Sequence, residues 1–124
     1  MHSRVTLVKQ MLNQSAALDR MFHALADPTR RAVVARLTAG PASVSELARP
    51  LEMSLPAVVQ HLQVLEAAGL IATEKAGRVR TCRVSPSALA DAERWLSERR
   101  LEWEARLDRL EAFLAETADE GDAS

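Results

Sequence analysis

One cysteine, Cys82, is all the thiol in this chain of 124 residues. That excludes an internal disulfide, in keeping with a reducing compartment, and leaves no thiolate pair for a soft metal. Aromatic residues make up only 3%, namely Phe22, Phe113, Trp95 and Trp103 with no tyrosine, so Leu, Ala and Val must fill the core. No apolar run approaches the roughly 20 residues of a membrane span. The N-terminus also lacks the apolar stretch of a signal peptide, which predicts a cytoplasmic protein without membrane contact. A Ser-His-acid or Cys-His arrangement, a glycine-rich phosphate loop and a spaced metal motif are missing too, so neither an enzyme nor a cofactor is expected. The three histidines, His2, His23 and His61, are scattered rather than clustered.

What is present is 48% apolar residues, enough for one domain with a modest core. Net charge is −1, yet it is unevenly distributed. Residues 1–83 hold eleven Arg or Lys against six Asp or Glu, whereas residues 84–124 hold five against eleven. Attraction to phosphate depends on local charge, so the basic part retains the footprint of a nucleic-acid binder.

Residues 1–14 read as an N-terminal arm that is helical in part. A body follows over 15–86. Its first helix is expected from about Ser15 to Ala26, with Leu18, Phe22 and Leu25 at helical spacing. Asp27 can cap a second helix that has Pro28 in its first turn, and Gly40-Pro41 ends that helix. Ser43 and Glu46 form a capping box that opens a short helix over Val44–Arg49, and Pro50 limits it. Ser54 caps the next helix, which runs through Val58, Leu62 and Leu65 to Gly69. Two helices joined by a short turn make a helix-turn-helix. Leu70–Thr73 and Arg80–Val84 read as a hairpin turning around Ala76-Gly77. The fold class is therefore mainly α with a small β-hairpin, a winged helix-turn-helix with a long C-terminal dimerisation helix.

That last helix is expected over residues 87–115, and 116–124 reads as an acidic flexible tail. Leu96, Trp103, Leu107, Leu110 and Leu114 form a stripe close to a coiled-coil seam, with Arg100 interrupting it. The stripe has two candidate partners: the chain's own first helix or the same helix of a second copy, and with Leu18 and Phe22 it makes up the candidate dimerisation residues. A helix of about 29 residues spans about 43 Å, long for so small a body, which favours the homodimer.

The candidate DNA-binding residues are Ser54, Pro56, Ala57, Gln60, His61 and Gln63 on the reading helix. Lys75, Arg78 and Arg80 on the wing join them, with Arg83 as a lesser candidate. Gln pairs bidentately with adenine in the major groove, and wing cations reach backbone or minor groove. The reading helix has no Arg or Lys, so grip must come from elsewhere. Arg30 and Arg31 can reach phosphate from the start of the second helix, or one of them is locked in an internal ion pair. His61 stands between a DNA contact and an ordinary helical residue.

Ala24-Leu25-Ala26-Asp27-Pro28-Thr29-Arg30-Arg31, Val44-Ser45-Glu46-Leu47-Ala48, the run from Ser54 through His61-Leu62-Gln63-Val64-Leu65-Glu66-Ala67-Ala68-Gly69-Leu70-Ile71, and Gly77-Arg78 occur in that order. Together they resemble the ArsR/SmtB family of bacterial winged-helix repressors, from about Leu18 to Leu114. The resemblance implies a homodimer held by its first and last helices, binding an inverted repeat of double-stranded operator DNA and often repressing its own operon. Many members release DNA on binding a metal. Here the family's cysteine pair is replaced in the segment Ala48, Arg49, Pro50, Leu51, and the terminal helix has no histidine, so no metal site is expected. Relatives of the non-metal type tend to have Ser and a basic residue where this chain has Val59 and Gln60. A thiol switch at Cys82 would need exposure and an activating charge from Arg80 or Arg83. An unknown small-molecule effector stays open, as does the alternative of a protein-interaction or ligand-responsive module of this fold with weak DNA binding.

Overall fold

The structure, a computed structural model, describes residues 4–122, with the backbone alone for residues 14, 15 and 120–122. The expected arm and tail lie outside the described residues at 1–3 and 123–124. In chain order the elements are α1 (Arg4–Leu25), α2 (Pro28–Thr38), β1 (Ala42–Ser43), α3 (Val44–Ala48), α4 (Leu55–Ala67), β2 (Ile71–Ala76), β3 (Val79–Val84) and α5 (Pro86–Asp122). The fold is mainly α-helical, with a small open sheet and a long C-terminal helix. No helix among the described residues is long and apolar enough to cross a membrane.

The chain divides into two compact units, Met1–Ala90 and Asp91–Ser124. In the first, the core is drawn from every element. Met21 and Ala24 of α1, Val33, Val34 and Leu37 of α2, and Leu47 of α3 are buried. So are Val58, Leu62 and Leu65 of α4, with Ile71 and Cys82 from the sheet. In the second unit every residue of 98–119 is exposed, the apolar ones included.

Local chemistry explains most of the boundaries. Asp27 caps α2, its carboxylate accepting the Arg30 backbone N–H at 3.0 Å, with Pro28 in the first turn where no amide is missed. Ser43 caps α3 by accepting the Glu46 N–H at 3.1 Å. The reciprocal half of that box is not made, because the Glu46 carboxylate faces Arg36 at 3.7 Å instead. Helix α4 ends in a Schellman motif. The Leu70 N–H donates to the Leu65 carbonyl at 3.0 Å and the Gly69 N–H to the Glu66 carbonyl at 2.9 Å. Gly69 provides the positive φ of 76° that this ending requires. Leu65 and Leu70, the motif's apolar pair, are both fully buried, so the turn out of α4 is also a core contact.

Several expectations are corrected. Helix α1 starts at Arg4, not near Ser15. Residues 4–13 contain no Pro or Gly, and Val5, Val8 and Leu12 keep a helical spacing upstream of Ser15. Helix α5 continues to Asp122 through the expected tail, giving 37 residues or about 55 Å. Both wing strands are longer than the apolar pattern suggested. Glu74, Lys75 and Ala76 are poor strand formers, held extended by pairing with β3. The short β1 was not foreseen. It pairs Ala42 with Cys82 and Ser43 with Thr81, so the sheet is three-stranded in the order β1-β3-β2.

Candidate nucleic-acid interface

The reading face is set by helical period. Val58, Leu62 and Leu65 are buried, and a rotation of about 100° per residue puts Pro56, Gln60, Gln63 and Ala67 on the opposite side. Pro56, Gln60, Gln63 and Ala67 are all exposed. Ser54 is exposed too, and its hydroxyl oxygen accepts the Ala57 N–H at 3.3 Å, leaving the hydroxyl proton to donate elsewhere. Ala57 is half-buried and offers little surface. No acid stands in the first turn of α4, so the positive end of its dipole is unopposed. Glu66, near the other end, accepts the Thr73 hydroxyl at 3.1 Å.

Two of the expected contacts are placed differently. His61 lies on the flank of α4, half-buried, with Nδ1 3.2 Å from a terminal nitrogen of Arg30 and 3.9 Å from the Asp27 carboxylate. Arg30 donates from Nε to the Ala24 carbonyl at 2.7 Å and from its other terminal nitrogen to the His23 carbonyl at 3.2 Å. Arg31 likewise donates to the Leu25 carbonyl at 2.8 Å. Both arginines are thus bound to the end of α1. An open hollow of about 440 Å³ lies beside Arg30, lined by Arg30, Gln60, His61, Gln63, Val64 and Ala67. Asp27 sits among these groups. The Arg30 backbone N–H, more than the opposing effect of burial, holds its carboxyl below the usual aspartate range, with the Arg30 charge adding to it.

The wing gathers cations at its tip. Ala76 pairs with Val79, leaving Gly77 and Arg78 as a two-residue turn. Gly77 has φ of 63° and no non-glycine among the described residues has a positive φ, which is the type II′ sign pattern that matches strand twist. The register then puts Lys75 directly opposite Arg80, with Arg78 between them in the turn. Like charges facing across a ladder repel, and none of the three forms an ion pair with a described residue. Arg83 differs, being paired with Glu74 at 3.3 Å. Two further exposed side chains escaped sequence reasoning: Arg49, in the turn before α4, and Leu55, 56% exposed in its first turn. Their only signal was proximity to the cap at Ser54.

Cys82 is fully buried in β3, and burial, helped by the Glu66 charge and opposed by Arg80, pushes its thiol up. The activated, exposed thiolate that a redox switch needs is not formed there. No group of three or more His, Cys, Asp or Glu that could hold a metal ion occurs among the described residues.

On the terminal helix the expected stripe is exposed: Leu96, Trp103, Leu107, Leu110 and Leu114 range from 40% to 60%. Leu101 and Phe113 widen it, at 59% and 62%. Arg100, the interruption, pairs with Glu104 at 3.8 Å, and Arg99 lies over the Trp95 ring at 5.1 Å. Leu18 and Phe22 of α1 are half-buried.

A capped reading helix followed at once by a basic-tipped hairpin defines a winged helix-turn-helix protein. A family model described as a helix-turn-helix domain matches residues 25–74. The HTH-type transcriptional regulator Rv2034 of Mycobacterium tuberculosis is 53% identical over 72 residues, 58% of this chain and 67% of that protein. The arsenical resistance operon repressor of Escherichia coli is 30% identical over 100 residues, 80% of this chain and 83% of that protein. A crystal structure of an ArsR family transcriptional regulator, 50% identical, superposes with a TM-score of 0.70 and covers 73% of this chain and 93% of its own. The chain belongs to the ArsR/SmtB family of winged helix-turn-helix transcriptional regulators.

Proposed function

We propose that the protein is a dimeric, sequence-specific autorepressor, acting in the cytoplasm and binding an inverted repeat. Helix α4 enters the major groove with Pro56, Gln60 and Gln63 toward the bases and Ser54 toward a phosphate. The wing cations Lys75, Arg78 and Arg80 hold the backbone or minor groove. Two copies join through α1 and α5, with Leu18, Phe22, Leu96, Trp103, Leu107, Leu110 and Leu114 in the interface. The observation that carries this reading is the wing tip. Opposed cations without a carboxylate are unfavourable alone and become favourable against phosphate, whose counterions they release.

The test is selection of bound duplexes from a random pool, with the mass of the protein measured on the same sample. The expected outcome is half-sites related by two-fold symmetry, with centres about 34 Å apart or a multiple of it. The neutral reading helix favours a second reading, an interaction module with weak DNA binding. Recovery of no common motif would decide for it.

A further inference from the structure

Arg30 has its donors committed on three sides. Nε and one terminal nitrogen face the Ala24 and His23 carbonyls in the last turn of α1. Carbonyls there lack intrahelical partners, and a cation beside them also opposes the negative end of the dipole. The other terminal nitrogen is 3.2 Å from Nδ1 of His61 on α4. A guanidinium has no acceptor, so arginine must be the donor and Nδ1 the acceptor, which makes the imidazole neutral with its proton on Nε2. The Arg30 backbone N–H is itself fixed by the Asp27 carboxylate at 3.0 Å. A single side chain rooted in the first turn of α2 thus ties the end of α1 to the middle of the reading helix.

We infer that Arg30 and His61 are positioning residues: they set the reading helix against α1 and α2, and neither contacts DNA. This rests on the DNA-binding reading above and assigns the pair a different part in it. A planar fork with donors in several directions suits the task; the single point charge of lysine does not.

The experiment measures operator affinity against salt concentration for the whole protein and four variants, Arg30→Gln, His61→Leu, His61→Asn and Arg78→Ala. His61→Leu should weaken binding about tenfold, the loss of one charge-assisted hydrogen bond, and Arg30→Gln, which also loses the bonds to the Ala24 and His23 carbonyls, at least as much, both with the salt slope unchanged. His61→Asn, whose carbonyl oxygen can stand where Nδ1 stood, should recover most of that loss. Arg78→Ala, the phosphate-binding control, should lower the slope by about 1. A slope lowered by Arg30→Gln as much as by Arg78→Ala would overturn the inference, as would His61→Asn behaving like His61→Leu. Nitrogen-15 NMR of the DNA-free protein tests the geometry separately. A proton on Nε2 of His61 is expected, and one on Nδ1 would sink the inference even if the operator is bound. Wild-type protein with no preference for any duplex would instead defeat the DNA reading, and this inference with it.

Discussion

Outside the exposed start of α1 (Val5 to Leu12), Leu55 and Val79, residues Met1–Ala90 use their large apolar side chains in the opposite way to Asp91–Ser124. In the first unit Val58, Leu65 and Leu70 are 0% exposed, each locked in by a cap or a Schellman turn that also fixes the path of the chain. In the second, Trp103 and Phe113 are 60% and 62% exposed on a helix with no core of its own. Periodicity cannot separate the two, because a stripe at spacings of three and four looks the same whichever surface covers it. The contrast also extends to charge. At the wing tip Lys75, Arg78 and Arg80 form no ion pair with a described residue, whereas Arg94, Arg99 and Arg100 of the second unit are paired with acids one to four residues away.

The largest expected effect lies in the self-contained core. Leu65→Ala should cost about 2–5 kcal/mol in denaturant unfolding, the range for a large-to-small change at a fully buried site. A cost below about 1 kcal/mol would remove the distinction between the units. Next comes the exposed stripe. Trp103→Ala should weaken self-association by about 2 kcal/mol, roughly thirtyfold, in sedimentation equilibrium. The same substitution should leave the melting of a dilute sample almost unmoved. Wild-type protein that stays monomeric at every concentration would show that the stripe is covered by something other than a second copy.

A third effect concerns grip against reading. Arg78→Ala with Arg80→Ala should lower the salt slope of operator binding by about 2, one for each phosphate that is no longer neutralised. Gln60→Ala should leave the slope alone and relax preference at one base pair by about 1–3 kcal/mol. A slope that fell equally in both variants would erase the division between a neutral reader and a cationic wing.

The smallest effect is on acid stability. The Asp27 carboxyl is held below its usual range in the folded chain, so folding favours its ionised form. Its contribution is full above the unfolded pKa and is lost as pH falls through the lowered folded value. Asp27→Asn should therefore flatten the acid limb of the stability profile and leave its neutral part sloping as before. An unaltered acid limb would show that the carboxylate's bond to the Arg30 N–H does not shift folding.

Much of this was legible along the chain, where an interaction closes over three or four residues. Asp27, Ser43 and Ser54 each sit three residues before the amide they accept. Gly69 and Gly77 mark the two positive-φ turns that lead into and around the wing. The strand β1 gave no signal because two residues carry no period. The upstream part of α1 was obscured by mixed polar and apolar residues, although their spacing was helical.

The parts of the interface that sequence reasoning left open are those whose partners lie far apart. Arg30 and His61 are 31 residues from one another, and both carry chemistry that suits DNA. Only the packing of α1, α2 and α4 turns them toward each other. Lys75 and Arg80 are recognisable as basic in any reading, but that they face each other follows from the ladder register and its two-residue turn. Caps, turns and helical faces are encoded locally, since their hydrogen bonds lie within a few residues of the chain. Which cation is free and which is spoken for is a property of the folded surface, because it depends on what the rest of the chain brings within 3 or 4 Å.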